Sequence, residues 1–186
     1  MNYALIREND IANGPGVRTS LFVSGCRHHC KGCFNPETWN FNYGQPFTQA
    51  EIDLIINASE PSFIDGLTLL GGEPFEPENQ DALLDLLIQF KAKLPHKNIW
   101  CYSGFSFEDD LLPKAQSSLE SVKNMLELID VLVDGRFIEE LKNPSLLFRG
   151  SSNQHIIDVQ ASLSQNKQVL LEGTWERKMG SGNIYE

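Results

Sequence analysis

The sequence lacks two features that would place it at a membrane or on nucleic acid. No segment approaches the roughly 20 consecutive apolar residues that cross a bilayer, and the amino-terminal MNYALIREND has no basic segment leading into an apolar one. Cations are in the minority, with 15 Lys and Arg against 25 Asp and Glu and a formal net charge of −10, whereas nucleic-acid binding depends on clustered cations. We therefore expect a soluble, cytoplasmic protein with no membrane and no nucleic acid among its partners.

Cysteine is also scarce, and its distribution is uneven. Four cysteines in 186 residues are too few for a disulfide scaffold in a chain of this length. Three of them, Cys26, Cys30 and Cys33, lie within eight residues of sequence, and in a reducing compartment such a cluster favours metal binding or redox chemistry. The fourth, Cys101, lies in a predicted strand, where we expect a small buried hydrophobic residue and not a ligand.

The remaining pattern alternates apolar runs with helical periodicity. Candidate strands, most of them followed by glycine or Ser-Gly, are residues 19–24, 66–70, 98–102 and 130–134, with weaker candidates at 155–159 and 168–171. Thr48 and Glu51 have the spacing of a capping box, which predicts a helix over Gln49–Ser59. Strands that are apolar on both faces and alternate with helices predict an α/β fold with a mainly parallel sheet.

The three clustered cysteines form the pattern CxxxCxxC on the loop after the first of these candidate strands. A structural zinc ion normally takes four protein ligands, so His28 or His29 would have to complete a zinc site. An ordinary iron–sulfur electron carrier uses four cysteines. Three cysteines would leave one iron of a four-iron cluster without a protein ligand and open to a substrate. Both a zinc site and a cluster remain open on these residues alone.

Two motifs in this order resemble the radical S-adenosylmethionine enzymes: the cysteine motif, and Gly71-Gly72-Glu73-Pro74 after a later strand. Longer segments are similar to the activating proteins of anaerobic ribonucleoside-triphosphate reductases. These are NGPGVRTSLFVSGC (13–26), GQPFT (44–48), LGGEPF (70–75), DVLVDGRF (130–137) and NPSLLFRGSSNQ (143–154). Two departures are visible. The residue before the third cysteine, often aromatic in radical enzymes, is Gly32, and the residues after about Asp158 extend beyond the similarity.

The resemblance implies a fold and a reaction. The fold would be a partial, open (β/α) barrel of the radical S-adenosylmethionine type over residues 1–160, followed by a C-terminal extension, 161–186, that we expect to be partly disordered. Cys26, Cys30 and Cys33 would hold a [4Fe-4S] cluster, and S-adenosyl-L-methionine would provide a 5′-deoxyadenosyl radical. The implied product is a glycyl radical on the large subunit of the anaerobic ribonucleotide reductase, with a reduced flavodoxin-type protein as electron donor. The alternatives are an activase of another glycyl-radical enzyme, such as pyruvate formate-lyase, and a non-catalytic, zinc-stabilised interaction module.

The resemblance also implies a set of cofactor contacts, although it assigns no catalytic side chain. Gly71 and Gly72 would let the backbone approach the methionine moiety, and Glu73 would accept a hydrogen bond from its ammonium group. The cofactor-binding residues expected on this basis are Gly32, Cys33 and Phe34 at the adenine, Gly71, Gly72 and Glu73 at the methionine moiety, and Ser103 at the ribose or carboxylate. His28 and His29 are expected to be solvated loop residues.

Overall fold

The computed structural model describes residues 1–117 and 120–171. Seven strands are present in these ranges: β1 (Asn2–Asp10), β2 (Val17–Val23), β3 (Gln45–Pro46), β4 (Ile64–Gly71), β5 (Asn98–Tyr102), β6 (Val131–Asp134) and β7 (His155–Asp158). The α-helices are α1 (Gln49–Ser59), α2 (Pro77–Lys93), α3 (Leu112–Gln116), α4 (Glu120–Leu128) and α5 (Val159–Gln165). Short 3₁₀ turns cover Pro36–Trp39 and Glu139–Leu141, and a π-helical turn covers Phe107–Leu111.

The strands form one mixed sheet in the order β3-β1-β2-β4-β5-β6-β7. The four central strands, β2, β4, β5 and β6, are parallel. Antiparallel pairs flank them, with β1 and β3 on one side and β7 on the other. The prediction of a mainly parallel α/β sheet is therefore confirmed for its centre, and the sheet is open because β3 and β7 are its two separate edges.

Helix α1 follows directly from local sequence. The Thr48 hydroxyl accepts a hydrogen bond from the Ala50 backbone N–H at 3.3 Å, and the Glu51 carboxylate accepts one from the Thr48 backbone N–H at 2.7 Å. These two contacts close the predicted capping box. Ile52, Ile55 and Ile56 then form the buried stripe of the helix. The predicted bounds of this helix are confirmed at both ends.

The two faces of the sheet differ. Alternate strand residues, among them Leu21, Leu69 and Cys101, pack in the main core with helices α1, α2 and α4. Cys101 is fully buried there, as predicted. Because side chains alternate along a strand, the residues in between face the opposite side, where Phe22 and Tyr102 line a cavity.

Residues 158–171 continue to pack on this domain. Helix α5 begins at Val159, so the boundary expected at 160 falls within the first turn of this helix. The predicted strand at 168–171 forms only an isolated bridge, between Ile157 and Leu170. The rest of the extension, whose partial disorder was expected, lies outside the described residues. In the described ranges, no helix combines the length and the apolar composition that a membrane crossing requires.

Candidate functional site

One cavity of about 550 Å³ lies where the parallel strands end. Much of its wall comes from the ends of the parallel strands and the loops that follow them, which is where α/β proteins bind ligands. Arg7 from β1, and Ala12 and Asn13 from the loop after β1, complete the wall. Six residues expected from sequence line it together: Cys30, Cys33, Phe34, Gly71, Gly72 and Ser103. Cys26, Gly32 and Glu73 do not line the cavity. The structure therefore brings together residues that are up to 73 positions apart in the sequence, counted from Cys30 to Ser103.

The cysteine loop is held by its own backbone. Gly25, at a φ of +96° that favours glycine, turns the chain out of β2. Its N–H donates to the Thr38 carbonyl at 2.7 Å, and the Cys26 N–H donates to the Trp39 carbonyl at 3.2 Å. Further along, the Cys33 N–H donates to the Cys30 carbonyl at 3.1 Å. These backbone hydrogen bonds therefore define the path of the loop without a bound ligand.

The thiols fit the role of cluster ligands. Burial raises the pKa of Cys26 to about 11, while the backbone N–H groups of His28 and His29 donate to its sulfur and act in the opposite direction. Burial likewise raises the pKa of Cys30, against a hydrogen bond from the Phe137 backbone N–H. Amide donors directed at sulfur favour the thiolate form that a metal centre needs. Binding must therefore displace a proton from each of these two thiols.

The two histidines next to the cysteines already have partners. The His28 ring lies 3.1 Å from a Glu73 carboxylate oxygen and packs edge-on against Phe105, with ring centroids 4.6 Å apart. The expectation that His28 is solvated is wrong, because only 6% of its side chain is exposed. His29 is exposed, and its ring stacks on Trp39 at a centroid distance of 4.6 Å.

These contacts bear on the zinc alternative. Across residues 1–117 and 120–171, no three His, Cys, Asp or Glu side chains are arranged to hold one metal ion. A single zinc ion needs its ligands to converge on one point. The described residues therefore contain no preformed site for a single zinc ion.

Gly71, the last residue of β4, and Gly72, which follows it, lie close to backbone atoms of other segments. A Cβ on Gly72 would lie 2.6 Å from the carbonyl oxygen of Gly25, and one on Gly71 would lie 2.9 Å from the Phe22 Cα. These glycines therefore make room for the backbone of β2 and of the cysteine loop, although both also line the cavity. Glu73 is buried, with 1% of its surface exposed, and its carboxylate has partners inside the protein.

Part of the cavity wall was not predicted, although Arg149 lies in the family-like segment 143–154, where a polar loop or a contact with cofactor or partner was expected. The only charged side chains among the described residues that line it are Arg7 and Arg149, in a chain whose net charge is −10. Arg7 is in β1, which was not predicted. Tyr102, at the end of β5, also lines the cavity, and burial raises its pKa. The sequence does contain a signal for Tyr102. Side chains alternate between the two faces of β5, and Tyr102 directly follows the core residue Cys101, so it faces the cavity.

Comparison with known proteins agrees with this geometry. Residues 12–157 match the family described as a 4Fe-4S single cluster domain. An α/β sheet that carries three cysteines at the carboxyl end of a parallel strand thus belongs to an iron–sulfur protein with one cluster.

Curated relatives narrow the class further. The anaerobic ribonucleoside-triphosphate reductase-activating protein of Escherichia coli K12 is 46% identical over 156 residues, which are 83% of this chain and 96% of the relative. The proteins of the same name from Haemophilus influenzae and from Enterobacteria phage T4 are 43% identical over 158 residues (84% of this chain, 97% of the relative) and 41% identical over 156 residues (84% and 93%). The chain belongs to the family of anaerobic ribonucleoside-triphosphate reductase-activating proteins.

Proposed function

We propose that this protein is an activating enzyme that installs a glycyl radical on the large subunit of the anaerobic ribonucleoside-triphosphate reductase. The observation that carries the proposal is the convergence of Cys30, Cys33, Gly71, Gly72 and Ser103 on one cavity at the ends of parallel strands. The family membership supports an iron–sulfur centre at this place. The names of the relatives support the reductase as the target.

The chain's own residues divide the work. Cys26, Cys30 and Cys33 hold a [4Fe-4S] cluster as thiolates, and the cavity takes S-adenosyl-L-methionine. When bound, these two groups supply the 5′-deoxyadenosyl radical that removes hydrogen from a glycine Cα of the reductase. Gly71, Gly72 and Ser103 line the side of the cavity formed by β4 and β5, where we place the methionine moiety and ribose. Gly32, Cys33 and Phe34 are placed at the adenine.

The apolar walls of the cavity exclude water from a reactive radical, in addition to binding the cofactor. Phe22 and Leu70 contribute from the face of the sheet, and Phe137 and Phe148 from the loops after β6. The cavity side of the sheet, opposite the core that contains α1, α2 and α4, leaves room for a segment of a protein substrate. This supports a partial, open barrel of the radical S-adenosylmethionine type over residues 1–160, with 161–186 as an extension. A reduced flavodoxin-type donor and a cytoplasmic location complete the proposal.

The test is anaerobic reconstitution with iron and sulfide, followed by reduction and addition of S-adenosyl-L-methionine. We expect about four irons per chain, formation of methionine and 5′-deoxyadenosine, and a glycyl-radical signal in electron paramagnetic resonance only when the large reductase subunit is present. Pyruvate formate-lyase, supplied in parallel, should give no signal. A colourless protein that retains one zinc and takes up no iron would overturn the proposal in favour of an interaction module.

A further inference from the structure

The turn Gly71-Gly72-Glu73 is bonded to the cysteine loop along its backbone. The Gly72 N–H donates to the Val23 carbonyl at 2.8 Å, and the Glu73 N–H donates to the Gly25 carbonyl at 2.8 Å. The Asn79 side-chain amide then donates to the carbonyls of both Ser24 and Glu73, at 3.0 and 2.9 Å. The backbone of residues 23–25, directly before Cys26, is therefore hydrogen-bonded to this turn and to Asn79.

Gly72 is required for that contact. A side chain at this position would meet the Gly25 carbonyl oxygen at 2.6 Å and the Thr38 carbonyl oxygen at 3.1 Å. Both neighbours are backbone atoms, which cannot move aside as a flexible side chain can. The absence of a Cβ at Gly72 thus serves the approach of the cysteine loop.

The Glu73 carboxylate is fully engaged inside the protein. One oxygen accepts hydrogen bonds from the Phe75 N–H and the Ser103 hydroxyl, both at 2.9 Å. The other accepts from the Gly104 N–H at 2.7 Å and lies 3.1 Å from the His28 ring nitrogen. A carboxylate offers about four acceptor sites, so these partners use its capacity. Gly71, Gly72 and Ser103 line the cavity, but Glu73 does not.

His28 is the link between this carboxylate and the ligands. It lies two residues after Cys26 and two before Cys30, and its ring is fixed by Glu73 on one side and by the Phe105 ring on another. Fixing this ring fixes the path of the loop between the two cysteines.

We propose that Gly72 and Glu73 position the cysteine loop, and that Glu73 acts through His28 and not by contact with the ammonium group of the cofactor. Glu73 is then a positioning residue for cluster assembly. The inference rests on the proposed function for its meaning, since it assumes that the loop holds a cluster. It differs from the contact implied by the resemblance, and the two assignments predict different behaviour of the same variants.

The first experiment uses the full-length apo-protein and does not depend on a cluster. In a Cys30→Ser, Cys33→Ser background, maleimide labelling followed by peptide mass mapping reports the exposure of Cys26, while Cys101 in the main core reports global unfolding. We expect Glu73→Gln to raise the Cys26 labelling rate by about tenfold, because an NH2 group replaces one carboxylate oxygen. That group then faces donors, either those of Phe75 and Ser103 or the Gly104 N–H. The Cys101 rate should stay unchanged.

Two further variants test whether Glu73 acts on the cysteine loop through His28. His28→Phe keeps a ring against Phe105 but loses the hydrogen bond, so it should raise Cys26 labelling as Glu73→Gln does, and the double variant should add nothing more. Gly72→Ala should also raise the Cys26 labelling rate, because its Cβ would meet the Gly25 carbonyl oxygen. Glu127→Gln, at an exposed carboxylate near Lys123, is the matched control and should match the unsubstituted background.

The second experiment uses reconstituted protein with all its cysteines. Glu73→Gln and His28→Phe should alter the electron paramagnetic resonance spectrum of the reduced cluster before S-adenosyl-L-methionine is added, and should lower iron retention. The proposal is overturned if Glu73→Gln leaves Cys26 labelling, iron content and that spectrum unchanged but shifts the cofactor titration by about tenfold, which is the mark of an ammonium contact. Failure of the wild type to take up iron would instead overturn the proposed function, and the labelling results would still decide the positioning role.

Discussion

At the scale of residues, the four cysteines lie in two environments and should respond differently to substitution. Cys30 and Cys33 line the cavity, and Cys26 receives amide donors at its sulfur. Replacing any one of these three with Ala should abolish reductive cleavage of S-adenosyl-L-methionine, because two protein ligands do not retain the cluster. The measurements are iron per chain after anaerobic reconstitution and the yield of 5′-deoxyadenosine.

Cys101 is the internal control for that series. Its side chain is fully buried in the main core, and burial raises its pKa well above the ordinary value. Cys101→Ser places a hydroxyl in an apolar site, which should lower the free energy of unfolding by about 1 to 2 kcal/mol. Iron content and cofactor cleavage should persist. Loss of the cluster in this variant alone would show that Cys101 is a ligand.

At the scale of elements, α1 offers a test of local folding. Thr48→Ala removes the cap to the Ala50 N–H and the 2.6 Å hydrogen bond from the Thr48 hydroxyl to Glu51. We expect a loss of about 1 kcal/mol in the free energy of unfolding at pH 7. Thr48→Ser retains the hydroxyl and should lose much less. Chemical denaturation of the three proteins measures the difference.

The same contact predicts a pH dependence. Hydrogen bonds from the Thr48 side chain, and then from its backbone, hold the pKa of Glu51 below its ordinary 4.5. A lowered pKa in the folded state means stabilisation that is present above the unfolded pKa and lost as pH falls through the folded one. The cost of Thr48→Ala should therefore shrink below about pH 4. A cost that is constant from pH 7 to pH 3 would contradict a role for ionised Glu51.

The elements also show what sequence can predict. Helix α1 was predicted to the residue because its capping box and its buried stripe all lie between Thr48 and Ile56. Strand β1 was missed because its pattern includes Arg7, Glu8 and Asp10, and its pairing partners come later in the chain. The π-helical turn and α3 were not predicted. The acidic run 108–110 lacks an apolar helical pattern, and Pro113 is a residue that usually interrupts a helix.

At the scale of the whole molecule, the site combines segments that can be recognised in the sequence, but the side-chain contacts between them cannot be predicted from it. The cysteine motif and the glycine turn were recognisable as motifs, and their meeting at one cavity followed from the parallel order of the strands. The contact between His28 and Glu73 joins residues 45 positions apart, and no local pattern predicts it. The proximity of Gly72 to the Gly25 carbonyl oxygen is likewise a contact between distant segments that no local pattern predicts.

The described residues continue past the end of the family match. The matches cover 156 to 158 of its 186 residues but 93 to 97% of the relatives, and the family match ends at residue 157. Helix α5 lies beyond that point, and the Gln160 side-chain amide donates to carbonyls at the end of α4, the shortest contact being 2.7 Å to Ile129. Gln160, beyond the family match, therefore satisfies carbonyl groups that a helix end leaves open.

Residues 168–171 make further hydrogen bonds, in this case to strand β7. The Asp158 N–H donates to the Val169 carbonyl and the Leu171 N–H to the Ile156 carbonyl, both at 2.9 Å, and Leu171 packs near Trp100 on the cavity side of the sheet. Truncation after Lys167 removes these contacts and should cost about 2 kcal/mol, or about 4 to 8 °C in the midpoint of thermal unfolding. A second truncation, after Leu171, keeps them, so the difference between the two proteins isolates residues 168–171. Equal midpoints for the two truncations would show that this segment contributes nothing to the stability of the domain.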